Sequence, residues 1–139
     1  MIQLIIGEKG KGKTKILLEK ANNEIKNVNG NIVYLDKSGQ HMYELNNKIR
    51  LIDVTGFPVS NSDEFLGFIS GIISQDHDLE QMYLDSFLKI AGLEGKDASP
   101  TLEKLDKISK QFNVSFIISI SLTKDQLPEA MRESIIAEL

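Results

Sequence analysis

The chain has no cysteine and no tryptophan among its 139 residues, and only two arginines, Arg50 and Arg132. Without cysteine, disulfides and thiolate metal sites are excluded. With two arginines there is no arginine-rich lid of the kind that small-molecule kinases close over their phosphates. The two histidines, His41 and His77, stand alone among polar loop residues and read as surface residues. No apolar run approaches the length of a membrane span. Met1 leads directly into an apolar segment, so a soluble, cytoplasmic protein with no membrane partner is expected. Sixteen basic residues face twenty acidic ones, for a net charge of -4. That balance offers no basic footprint for nucleic acid. A hydrophobic share of 41% in a chain of this length suits a single domain over residues 1–139.

Against these absences stands one dense motif, Gly7-Glu8-Lys9-Gly10-Lys11-Gly12-Lys13-Thr14. It fills every fixed position of the phosphate-binding pattern G-x-x-x-x-G-K-[ST]. Its surroundings are the ones its physics needs. The run Met1 to Ile6 reads as a buried strand before it, and a helix-period segment from Lys13 to about Asn27 follows. Glycines let successive backbone N–H groups converge on an anion, and the new helix aims its positive end at the same place. Lys13 is expected to reach the β- and γ-phosphates and Thr14 to hold a magnesium ion. Lys9 and Lys11 add charge to the loop or face solvent.

Downstream, strand and helix patterns alternate. Asn31 to Asp36, Lys48 to Val54, Leu79 to Leu84 and Val114 to Leu122 read as strands, with Lys48 to Val54 a candidate edge. Ser60 to Gln75 reads as a helix that buries Phe65, Leu66, Phe68, Ile69, Ile72 and Ile73. A second helix is expected to be capped by Ser99, with Pro100 at its first position. Pro128 to Glu138 is expected as a last amphipathic helix, with Met131, Ile135 and Leu139 on one face. The alternation predicts an α/β three-layer αβα domain around a mainly parallel sheet.

A phosphate loop works with an acid that supports magnesium through water, usually at the end of an apolar strand. Asp36, Asp53 and Asp85 each end one. Asp85 is the preferred metal partner: Gln81-Met82-Tyr83-Leu84-Asp85-Ser86 lies well downstream of the loop, and a helix-strand unit follows it. Asp53 and Asp36 remain the alternatives.

The Met82-to-Ser86 run resembles the second nucleotide motif of RecA-like ATPases, where apolar residues also lead into Asp-Ser. The segment Leu102 to Ser119 is similar to the helix and strand that follow that motif in the RecA and KaiC families. The resemblance implies RecA-like strand order and a polar residue, Ser119 or Ser121, that senses the γ-phosphate. It also implies ATP and Mg2+ as ligands and a site that a homo-oligomer or another protein partner completes. The whole chain further resembles small clostridial-type P-loop proteins of unknown role, often labelled "twitching motility protein PilT". The extra domain and the histidine and aspartate boxes of the true motors are missing, so the motor function is not carried over.

RecA-like enzymes place a catalytic glutamate just after strand two, where this chain continues Asp36-Lys37-Ser38-Gly39. Other ATPase classes put it directly after the magnesium aspartate, where Ser86 stands. With no glutamate assigned to polarise water, the expectation is ATP–magnesium binding with weak or assembly-dependent hydrolysis. Two alternatives accompany it. One is a non-hydrolysing switch or scaffold, for which Phe57-Pro58 and the apolar helix face offer a docking surface. The other is a GTPase using Asp53-Val54-Thr55-Gly56 as its D-x-x-G. In that case Thr123-Lys124-Asp125 stands near the guanine-reading position, but its aspartate comes one residue early.

Overall fold

In the computed structural model, which describes residues 1–139, the apolar runs become six strands. These are β1 (Ile2–Ile6), β2 (Asn31–Asp36), β3 (Arg50–Asp53), β4 (Leu79–Leu84), β5 (Ser115–Ile120) and β6 (Ile135–Glu138). The helices are α1 (Lys13–Glu24), α2 (Ser62–Gln75), the single turn α3 (Phe87–Ile90) and α4 (Ser99–Phe112). All strand pairs are parallel, in the order β3-β2-β4-β5-β1-β6. Parallel neighbours need long crossovers: helices supply those that lead into β2, β4 and β5, and loops with 3-10 turns those into β3 and β6. The result is the expected αβα domain. No helix is long and apolar enough to cross a membrane.

Side chains alternate across the sheet with the period of two that a strand imposes. Leu4, Leu35, Leu84 and Ile118 face α2 and α4 in a core cluster of 25 buried residues. Ile5, Tyr34, Tyr83 and Ile117 face α1 in a cluster of 10. The smaller cluster leaves the carboxyl ends of the strands polar on the α1 face, and that is where the site forms. The apolar side of α2 is committed to the larger core: Phe65, Ile69 and Ile73 are buried, while Leu66, Phe68 and Ile72 pack partly buried against it. Phe57 packs on Phe68 with the rings tilted and their centroids 5.3 Å apart.

Helix ends depart from the expectations by small margins. The first helix stops at Glu24, and turns carry the chain through Asn27. Asn61 caps α2 by accepting from the Glu64 amide, and Glu64 accepts from the Ser60 amide in return. Ser99 is the first residue of α4 and Ala98 occupies the cap, with Pro100 in the first turn as expected.

One element is corrected. Pro128 to Glu138 is not a helix: Glu129–Ser134 forms tight 3-10 turns, and Ile135–Glu138 is strand β6 along the open edge of β1. Residues at i and i+4 gave a helical stripe of Met131 and Ile135. A buried turn residue followed by a half-buried strand residue gives the same pattern. Two adjacent β-branched isoleucines and a free strand edge favoured pairing over another helical turn.

Candidate functional site

The row Tyr34, Tyr83 and Ile117 crosses β2, β4 and β5 in register on the α1 face. Two residues further along each strand stand Asp36, Asp85 and Ser119, still on that face. Ser119 is in register with Ile5 of β1, two residues before the Gly7–Thr14 loop opens. The topology therefore brings the loop, the aspartates and Ser119 together at the carboxyl ends of adjacent strands, the usual place for a ligand in an open α/β sheet.

The loop folds as its glycines permit. Gly12, at φ +97°, is the residue from which α1 starts. Gly7, at φ +142°, lies under the end of β6, where an added Cβ would stand 2.7 Å from the Leu139 carbonyl oxygen. Neither position accepts a side chain without strain. Lys13 turns back over the loop, and its Nζ donates to the carbonyl oxygens of Gly7 at 2.7 Å and Glu8 at 2.8 Å. Burial lowers the Lys13 pKa, the Asp85 charge pulls it back up, and Lys9 lowers it further.

Asp85 is the hub. Its Oδ1 accepts from Ser119 Oγ at 2.7 Å, from the Ser86 amide at 2.9 Å and from Thr14 Oγ1 at 3.2 Å. Its Oδ2 accepts from Tyr34 Oη at 2.7 Å. Thr14 and Asp85 are 71 positions apart in the chain, so only the tertiary fold joins them. Burial and the Asp85 charge both push the Tyr34 phenol upward, which keeps it a donor at any ordinary pH. Ser86 takes a left-handed conformation, φ 53°, turning the chain from β4 straight into α3.

A cleft of about 490 Å³ opens over this hub. Gly10, Gly12, Lys13 and Thr14 line it from the loop, Asp85, Ser119 and Ser121 from the strand ends, and Lys37 and Lys89 from the far side. Leu88 is its one hydrophobic lining residue. Lys9 reaches the rim and pairs with Glu94 at 3.4 Å. Lys11 and Glu8 line a separate hollow of about 310 Å³ between the loop and β6. Both serines line the cleft; Ser119 is engaged with Asp85 and with the Ser86 amide, whereas the Ser121 hydroxyl has no partner within the protein.

The alternative residues are placed elsewhere. Asp53 ends β3, at the sheet edge, with three strands between it and β1. At ~4.8 Å per strand that is about 19 Å from the loop strand. Its carboxylate accepts from the Thr55 amide at 3.0 Å, as an ordinary turn residue does. Thr123 and Gln126 close a capping box on each other, and Asp125 is exposed. Asp36 lies on the site face beyond Asp85 but does not line the cleft. Glu80 meets the Gly30 amide at the opposite end of the sheet.

Tyr34, Lys37, Lys89 and Glu94 were not singled out from the sequence as site residues. For Tyr34 a signal existed: period-two alternation puts it on the same face as Asp36, one step back from the strand end. The lysines and Glu94 sit in short polar segments whose pattern is that of solvated surface. No protein-family model matches the chain, and no curated protein matches it either.

Proposed function

We propose that the chain binds a magnesium–nucleoside triphosphate, ATP by preference, in the cleft between the Gly7–Thr14 loop and Asp85. The observation that carries this is the Thr14–Asp85 contact at 3.2 Å directly below the glycine loop and the start of α1. An anion held by the loop amides and Lys13 would lie beside a hydroxyl and a carboxylate, both hard oxygen donors suited to Mg2+. No group of three acidic or histidine side chains able to hold a metal stands anywhere in the chain. An ion here would share its shell with phosphate oxygens and water, the usual arrangement for magnesium on phosphates. Bound there, the ion would neutralise charge on the phosphate chain.

The order β3-β2-β4-β5-β1-β6 puts one strand between the loop strand and the aspartate strand, which supports kinship with RecA-like ATPases. Ser121 is the better of the two γ-phosphate sensor candidates, since Ser119 instead holds Asp85 in place. We take the protein as cytoplasmic, where magnesium and ATP are available.

Turnover has weaker support than binding. The cleft lining includes two carboxylates, Asp85 and Glu94. Both oxygens of Asp85 accept hydrogen bonds, and Glu94 pairs with Lys9. Neither stands without a partner in the cleft as a dedicated general base would. The isolated chain is therefore proposed as a slow or assembly-dependent ATPase, with a non-hydrolysing switch or scaffold as the second reading. A GTPase built on Asp53 is disfavoured by the edge position of that residue.

A panel of ATP and GTP, with turnover measured at low and high protein concentration, separates these readings. ATP preference with concentration-dependent turnover supports the assembled ATPase. Binding without turnover at every concentration supports the switch, and GTP preference contradicts the proposal.

A further inference from the structure

Two cations of the cleft have no partner within the protein. Lys37 follows Asp36 at the end of β2, and Lys89 lies on α3; both line the cleft with Lys13 and Thr14. The ion pairs of the chain are made by Lys9, Lys20, His41, Lys104 and Lys110. Lys13 is tied to the loop carbonyls. The carboxylates of the cleft offer Lys37 and Lys89 nothing, because Asp85 is held by four donors and Glu94 by Lys9. Four lysines against two carboxylates leave the cleft with a formal excess of two positive charges, in a chain whose net charge is -4. The excess is local and concentrated where field lines focus.

The backbone under both lysines is fixed. The Lys37 amide donates to Asp36 Oδ1 at 2.7 Å, and the Asp36 side chain is buried. The Lys89 amide donates to the Ser86 carbonyl at 3.0 Å, one turn beyond the left-handed Ser86. Such a conformation is strained for a non-glycine residue and persists where the surroundings demand it. Here it carries α3, and with it Lys89, to the wall of the cleft. Neither arginine lines the cleft: Arg50 begins β3 at the other end of the sheet, and Arg132 Nε donates to the Lys124 carbonyl.

We propose that Lys37 and Lys89 form a second anion subsite, in cis, that takes the terminal phosphate of the triphosphate held by the loop. The inference rests on the nucleotide reading above. In this subsite the two ammonium groups would do the work that arginine does in many phosphoryl-transfer sites. A lysine ammonium is a compact charge with three rotatable donors, suited to phosphate oxygens without demanding forked geometry. A lining with one apolar residue also suits a phosphate chain better than a base.

The test is the ratio of Mg-ATP to Mg-ADP affinity in the wild type, Lys37→Ala, Lys89→Ala, the double variant and Lys37→Arg, at near-physiological salt. The subsite predicts that each alanine weakens ATP about tenfold and leaves ADP within about twofold, and that arginine restores most of the loss. Both side chains are exposed, so an unchanged unfolding midpoint verifies the fold of each variant. Equal losses for ATP and ADP would reduce the lysines to a general attractive field and overturn the subsite. So would no loss for either, with ATP still bound by the wild type. A wild type that binds neither nucleotide would overturn the nucleotide reading itself, and the subsite with it.

Discussion

Asp85 at the end of β4 and Asp36 at the end of β2 stand on the same face of neighbouring strands, and each keeps 2% of its surface. Their hydrogen bonding differs completely. Asp85 is surrounded by donors from β2, β5, α1 and its own turn. Asp36 receives one bond, from the Lys37 amide, and its Oδ2 is buried with no partner. Burial, followed by the charge of Asp85, pushes the Asp36 carboxyl above its ordinary range, and the bond from Lys37 only partly opposes this. Position in a sheet does not decide what a buried carboxylate does; the donors that reach it do. Asp85 is held by four donors beside Thr14. Asp36 has one, and anchors the backbone of Lys37.

The largest break in this comparison comes from removing the held charge. Asp85→Asn should weaken Mg-ATP affinity about 30-fold and flatten its dependence on magnesium, the scale on which supporting ligands of metal sites act. Asp53→Asn should leave affinity within about twofold. Calorimetric titration with and without magnesium measures both, and an Asp53 effect exceeding that of Asp85 would reverse the wiring.

Next in size is the donor that reaches Asp85 from β2. Tyr34→Phe leaves Oδ2 without a bond and keeps the ring stacked on Tyr83, whose centroid lies 6.0 Å away. The expected cost is about 1–2 kcal/mol, a fall of roughly 3–8 °C in the thermal midpoint. An unchanged midpoint would show that this bond does not stabilise the charge.

Asp36→Asn should act in the opposite direction. Asparagine keeps the acceptor for the Lys37 amide and removes the charge. Because the folded-state pKa of Asp36 is raised, the wild type is penalised when pH exceeds that raised value and is relieved below the unfolded value of about 3.9. The variant's midpoint should therefore rise relative to that of the wild type as pH increases from 4 to 7. A gain independent of pH would assign the effect to something other than charge. The smallest expected effect is that of Asp53→Asn on stability, within about 0.5 kcal/mol, because asparagine keeps the oxygen that accepts from the Thr55 amide.

Much of this was legible in the sequence, for physical reasons. β2 carries the apolar run Ile32 to Leu35 and β4 the run Met82 to Leu84, each followed by aspartate, and both strands match the expected bounds. The glycine loop announces itself, because its residue types are dictated by backbone geometry. The β6 segment was misread because a short amphipathic stripe does not distinguish a last helix from a turn and an edge strand; the free edge of β1 decided it. The contacts of Tyr34 and Ser119 with Asp85 join residues 51 and 34 positions apart. Local pattern fixes which face such side chains occupy and says nothing of whom they meet. The two lysines were illegible for a simpler reason: exposed lysine in a loop looks the same in sequence whether it faces bulk water or a cleft.

The central claim is that the Gly7–Thr14 loop and Asp85 hold a magnesium nucleotide, and titration of Mg-ATP into the wild type and Lys13→Ala tests it most directly. Removing the ammonium that closes the loop should weaken binding about 100-fold or abolish it, with the fold confirmed by circular dichroism. Equal affinity in the two proteins would contradict the account.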